Sequence, residues 1–166
     1  MADTDGTIAT WRTAQETGDI ERLLPCLAED ATFISPLTDA FRFHGPRQIA
    51  DVLKAAAGLI EGIRFHTDVG SGDTRVLVYA ATVRGIAVEE AQLLRLDDAG
   101  LIRELTFFGR PLPALTAVMT GIAGPMLRDQ GRPGMARAIT AATAPLAAMT
   151  RLGEKRIVPL AAPRDS

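Results

Sequence analysis

The hydrophobic period of this chain changes once, and that change limits the architectures open to it. Up to about residue 57 the apolar side chains recur at helical spacing, and from 63 to 108 they alternate. Ile8 and Trp11 share a face with Ala14 and Gln15, which predicts a helix over 7–17 ended by Gly18. Asp19 opens a second helical segment on Ile20, Leu23, Leu24 and Leu27, bent by Pro25. A short strand at 31–34 stops at Ser35-Pro36, and 37–44 reads as a loop or a short hairpin arm. Gly45-Pro46 then opens a helix with the buried stripe Ile49, Val52, Leu53 and Ala56. Strands follow at 63–69, 76–86, 88–96 and 101–108, parted by turns at 70–73, near Gly85 and at 97–100. Helices first and an antiparallel meander after them make the fold class α+β.

Residues 1–110 are expected to form one domain and 111–166 a helical extension packed on it or on a dimer partner. The extension carries two apolar stripes, Leu115, Val118, Met119, Ile122 and Met126, then Met135, Ile139, Ala142, Leu146, Met149 and Leu152. A break at 131–134 separates them, and Pro125 and Pro145 should kink the two helices. Val76 to Tyr79 is apolar on both sides of its strand. Both sheet faces should therefore be covered, one by the helices and the other by a partner subunit or the tail.

Charge is uneven. Residues 111–166 hold seven Lys/Arg and three Asp/Glu, against eleven and seventeen in residues 1–110. The two parts should attract each other, or the tail should meet an anionic partner. Nucleic acid is not expected, because the tail's Arg residues are scattered and it has no aromatic side chain to stack on a base. No membrane span is expected, since no run reaches ~18 consecutive apolar residues. Cys26 is the only cysteine, so no internal disulfide can form and a cytoplasmic setting fits. The acidic start, with Asp3 and Asp5, is unlike a secretory signal. His44 and His66 find no third ligand at suitable spacing, so neither a metal nor another cofactor is expected.

Three segments in order carry a resemblance: Trp11 through Gly18-Asp19, then Glu29 through Ser35-Pro36, then Gln92 through Ile102 followed by Phe107-Phe108-Gly109. Over about residues 5–110 the chain resembles the nuclear transport factor 2-like superfamily, and within it the ketosteroid isomerases and SnoaL-like polyketide cyclases. The resemblance implies a curved antiparallel sheet wrapped round helices as a cone, with a pocket for a small ligand, in a homodimer. It also places Ser35 where an isomerase has its carboxylate base, and Trp11 and Gln92 where it has its two oxyanion donors. None of the three matches the isomerase residue, so the steroid-isomerase reaction is not expected. The cyclase acid/base position, at the end of the last strand, holds Phe107, Phe108 and Gly109 and offers no carboxylate.

The remaining chemistry-bearing residues are few. Glu90 and Gln92 are two apart in a strand and share a face, which makes Glu90 the preferred substitute carboxylate. Asp39, in the loop after Ser35, and His44, before Gly45, are the other acid/base candidates. Tyr79 either points its hydroxyl inward or packs across strands. With Trp11, Phe33 and Phe107 it would wall the pocket, beside Ser35, and Gln92 would orient a polar group of the ligand. The expected ligand is a small apolar or aromatic molecule, isomerised, cyclised or hydrolysed if the protein is an enzyme. The alternative is a non-catalytic dimeric interaction module.

Overall fold

The structure, a computed structural model, describes residues 3–163. Helix α1 (Thr4–Thr17) starts earlier than its apolar stripe because Asp3 caps it, accepting from the Gly6 amide at 2.9 Å. Gly18, at φ +73°, closes it. The expected second α-helix is instead a tight 3₁₀ turn, Ile20–Cys26. Pro25 offers no amide hydrogen and restrains Leu24, which disfavours α-helical geometry in this short segment. Strand β1 (Leu27–Ile34) consequently begins at Leu27, a residue expected on the helical stripe. Phe43–His44 forms the short arm β2, antiparallel to β1, and α2 (Gly45–Ala57) buries Ile49, Val52 and Leu53.

The sheet is completed by β3 (Ile60–Ser71), β4 (Thr74–Val83), β5 (Ile86–Leu96) and β6 (Ile102–Arg110). Its order is β2-β1-β6-β5-β4-β3. Every pairing is antiparallel except β1 with β6. Strand β4 ends at Val83, three residues before the expected limit. Arg84 and Gly85 both take positive φ, 48° and 75°, and close a two-residue hairpin loop.

Alternation along β4 and β5 turns Leu77, Tyr79 and Leu94 inward, into one core with Trp11, Leu23 and Ile49, and buries Val83 and Val88 in a second cluster. Each such side chain contributes about 1.5–3 kcal/mol on burial. Polar links then fix how α1 lies on the sheet. Glu16 Oε1 accepts from the Phe65 amide at 2.9 Å, where the β3 register slips. Arg12 pairs with Asp68 at 3.2 Å.

The extension divides into two unlike helices. Helix α3 (Leu112–Asp129) folds back into the open end of the sheet and packs Ala114, Ala117 and Val118 on Val83 and Val88. Its tightest packing uses small residues, including Gly121 and Gly124, while Met119, Ile122 and Met126 of the expected stripe are half-buried. Helix α4 (Pro133–Arg156) packs on α3 with Ala136 as its one buried residue, and a short turn follows at Val158–Ala161. The second stripe is therefore largely uncovered: Met135, Leu146, Met149 and Leu152 are exposed. Both helices continue through Pro125 and Pro145. No helix among the described residues is long and apolar enough to cross a membrane. The outer sheet face keeps Val76, Val78, Ala91 and Leu93 half-buried, with Val69 and Phe108 exposed.

Docking of α3 makes a contrast between two glycines. A Cβ at Gly121 would stand 2.6 Å from Leu59 Cδ1, whereas one at Gly153 in α4 meets nothing within 4 Å. Gly121→Val should destabilise by about 1–3 kcal/mol through overpacking. Gly153→Ala should stabilise by about 0.5–1 kcal/mol through helix propensity. Denaturant unfolding of both variants measures the pair.

Candidate functional site

Midway along β4 and β5 the inward positions turn polar. Tyr79 and Glu90 stand opposite each other across the two strands, and the Tyr79 hydroxyl donates to Glu90 Oε1 at 2.9 Å. Glu90 is 8% exposed and forms no ion pair within the described residues. Burial raises its carboxyl from the ordinary value of 4.5 to about 7, while donation from Tyr79 and Gln92 works in the other direction. Burial, with the neighbouring Glu90 charge, pushes the Tyr79 phenol well above its usual range. The phenol thus stays protonated at neutral pH, where the carboxyl changes state.

Behind this pair lies a closed set of amides. Trp11 Nε1 donates to Gln92 Oε1 at 2.9 Å, and Gln15 Nε2 donates to the same oxygen at 3.2 Å. Gln92 Nε2 in turn donates to Gln15 Oε1 at 2.8 Å. An indole N–H can only donate, so it fixes which end of Gln92 is oxygen. That choice turns the Gln92 nitrogen toward Gln15 and Glu90. One donor thereby orients three side chains.

A cavity of about 390 Å³ lies over this floor. Gln15, Tyr79 and Glu90 reach it from below, Phe33, Phe107 and Leu53 wall it, and Val118, Met119 and Ile122 of α3 roof it. Roofing the cavity is why the large residues of α3 keep partial exposure. Gly109 stands opposite Glu90 on β6, at the strand end where a cyclase carboxylate was sought. A Cβ there would meet Leu115 Cδ2 at 2.7 Å, so the missing side chain lets α3 settle above Glu90.

The expected site residues divide into three groups. Phe33, Ser35, Tyr79, Glu90 and Phe107 line the cavity. Trp11 and Gln92, expected to touch the ligand, do not line it: both are fully buried and bond to one another behind the floor. Asp39 and His44, expected as acid/base candidates, do not line it either. Asp39 is exposed in the loop after β1, and exposed His44 sits 3.3 Å from Thr32 on β1. Gln15 was seen in the sequence only as part of a buried helix face. Its polar type on an otherwise apolar face was the available sign of a buried partner. No group of three or more His, Cys, Asp or Glu suited to a metal occurs among the described residues.

The family described as a SnoaL-like domain matches residues 8–105. Among solved structures, a steroid delta-isomerase from Pseudomonas aeruginosa is 23% identical, with a TM-score of 0.72 over 79% of this chain and 96% of that one. An uncharacterised bacterial protein with a cystatin-like fold from Silicibacter pomeroyi is 22% identical, with a TM-score of 0.70 over 80% and 93%. A provisionally assigned polyketide cyclase from Sinorhizobium meliloti is 19% identical, with a TM-score of 0.54 over 62% and 94%. These likenesses show the fold. No curated protein matches the chain.

The raised carboxyl carries a stability consequence of definite sign. Between pH 4.5 and 7 the unfolded chain has released the Glu90 proton and the folded chain still holds it. Stability therefore falls as pH rises through that window, by roughly 3 kcal/mol in all, and is level above it. Glu90→Gln keeps an acceptor for Tyr79 and should remove this slope, leaving the variant more stable than the parent at pH 8. Denaturant unfolding at pH 4.5, 6 and 8 measures it.

Proposed function

We propose that this chain, which belongs to the SnoaL-like domain family of the nuclear transport factor 2-like superfamily, binds a small apolar molecule in its cone and moves a proton on it with Glu90. The observation that carries this reading is a carboxyl at the floor of an apolar cavity, held by neutral donors and titrating near neutrality. Such a group serves as a general base without help from a metal. In its ionised form Glu90 takes a proton from a carbon beside a carbonyl. The Tyr79 hydroxyl holds the carboxylate in place. Isomerisation and cyclisation both begin this way. Hydrolysis fits less well, because no Arg lines the cavity beside Glu90 to complete a water-activating set.

Deuterium exchange into 2-tetralone, a compact apolar ketone, tests the chemistry in D₂O. The parent protein should accelerate exchange, with a rate rising through about pH 7. Glu90→Gln should lose roughly 100-fold or more. Tyr79→Phe removes a donor that favours the carboxylate, so its pH limb should move upward. Exchange no faster than in buffer, or equally fast with Glu90→Gln, would sink the reading.

The homodimer belongs to the same proposal. Val76 and Leu93 lie abreast on the outer sheet face, as do Val78, Ala91 and Phe108, and Phe108 is 56% exposed. A second copy covering this strip would remove it from water. Phe108→Glu should yield monomers in sedimentation at concentrations where the parent is dimeric. A cytoplasmic setting agrees with a lone buried cysteine. The rival reading, a non-catalytic interaction module, draws on the exposed apolar side of α4. The open cavity over a titratable floor weighs against it.

A further inference from the structure

Phenylalanines join the acid floor to the protein surface. Phe107, paired with Gln92 in the sheet, stands 4.7 Å from Phe33 between ring centroids. Phe33 is 5.7 Å from Phe43, and Phe43 is 5.4 Å from Phe41. Phe107 and Phe33 are buried, Phe43 is half-buried and Phe41 is 56% exposed. It uses four of the chain's six phenylalanines.

The ladder ends at a second concavity, about 680 Å³, between α2, the loop before β2 and the end of α3. Phe41, Phe43 and Met126 border both concavities. Their linings differ in kind. Inside, the polar groups near Glu90 are engaged with one another. Outside, the groove presents Arg42 and Lys54 beside Asp51 and Asp129, with the amides of Gln48 and Gln130. Two cations and two anions balance, so the groove has no net charge to draw an ion. Gln48 spends its oxygen on the His44 amide, which leaves its N–H groups to donate.

We propose that cavity and groove are two compartments of one site for an amphipathic ligand. A flat apolar body lies along the phenylalanine ladder toward Glu90, and an uncharged end rich in hydroxyl or amide groups lies in the groove. Flat rings suit a wall of aromatic faces and edges. Hydrogen-bonding groups that the apolar cavity would strand are satisfied outside. This inference rests on the cavity-binding reading and adds the class of molecule.

Three probes with one apolar body separate the possibilities: 2-naphthol, 2-naphthyl β-D-glucoside and 2-naphthyl phosphate, each titrated calorimetrically into the full chain. The glucoside should bind about tenfold more tightly than 2-naphthol, the scale of one or two added hydrogen bonds. The phosphate should gain nothing. The double variant Gln48→Ala/Lys54→Ala alters exposed side chains of α2 and should erase the glucoside gain while leaving 2-naphthol unchanged. Equal binding of 2-naphthol and glucoside, a glucoside gain that survives the double variant, or tightest binding of the phosphate would overturn the two-compartment site alone. Failure of 2-naphthol to bind, or its unchanged binding to a cavity-filling Ala123→Phe variant, would overturn the cavity reading with it.

Discussion

A primary amide at the centre of a concave sheet has four hydrogen-bonding positions and no water to fill them. Gln92 is in that situation, and the partners it needs organise what surrounds it. Its oxygen takes both Trp11 and Gln15, and its nitrogen donates to Gln15 and favours the ionised form of Glu90. Sliding α1 along the sheet would unpair these groups at about 1–3 kcal/mol each. Apolar packing alone tolerates small slips of a helix, whereas a closed set of directed bonds does not. The place of α1 then sets Gln15 at the cavity floor. Alternation along β5 sets Glu90 on the same face as Gln92.

Glu90 is poised by opposing influences of comparable strength. Desolvation favours its protonated form, and two neutral donors favour the carboxylate. A cation beside it would have fixed it ionised, and a wholly apolar setting would have kept it protonated. The present balance leaves both forms accessible at neutral pH, at a cost in stability that the surrounding core absorbs. Functional sites commonly carry such a cost.

Much of the architecture was legible because period and punctuation reinforce each other. Alternation through β4 and β5, with turn residues between strands, specified the meander and put residues 90 and 92 on one face. Pro25 predicts a bend, but the short segment around it is 3₁₀ rather than α, since the demand of β1 for Leu27 is a tertiary one. Gln15 gives no distinct signal, because a polar residue on a helix reads alike whether it meets water or a buried amide. Asp39 and His44 have acid–base chemistry, but the route of the loop and the edge strand keeps them outside, and sequence carries little information about loop paths. Helix α3 misled in another way. Large apolar residues are taken to mark the buried side, yet here alanines and glycines make the close contacts and the large residues border empty space.

The roof of the cavity comes from α3, which follows every strand of the sheet in the chain. As the protein leaves the ribosome, the hairpin bearing Tyr79 and Glu90 is complete before residues 112–129 have emerged. Until that helix docks, the cavity lacks its roof. The share of desolvation that α3 supplies therefore falls on a late step of assembly, when the helix displaces solvent and shifts Glu90 toward its protonated form. Part of the site's acid–base character is, in this chain, acquired only as the fold closes over it.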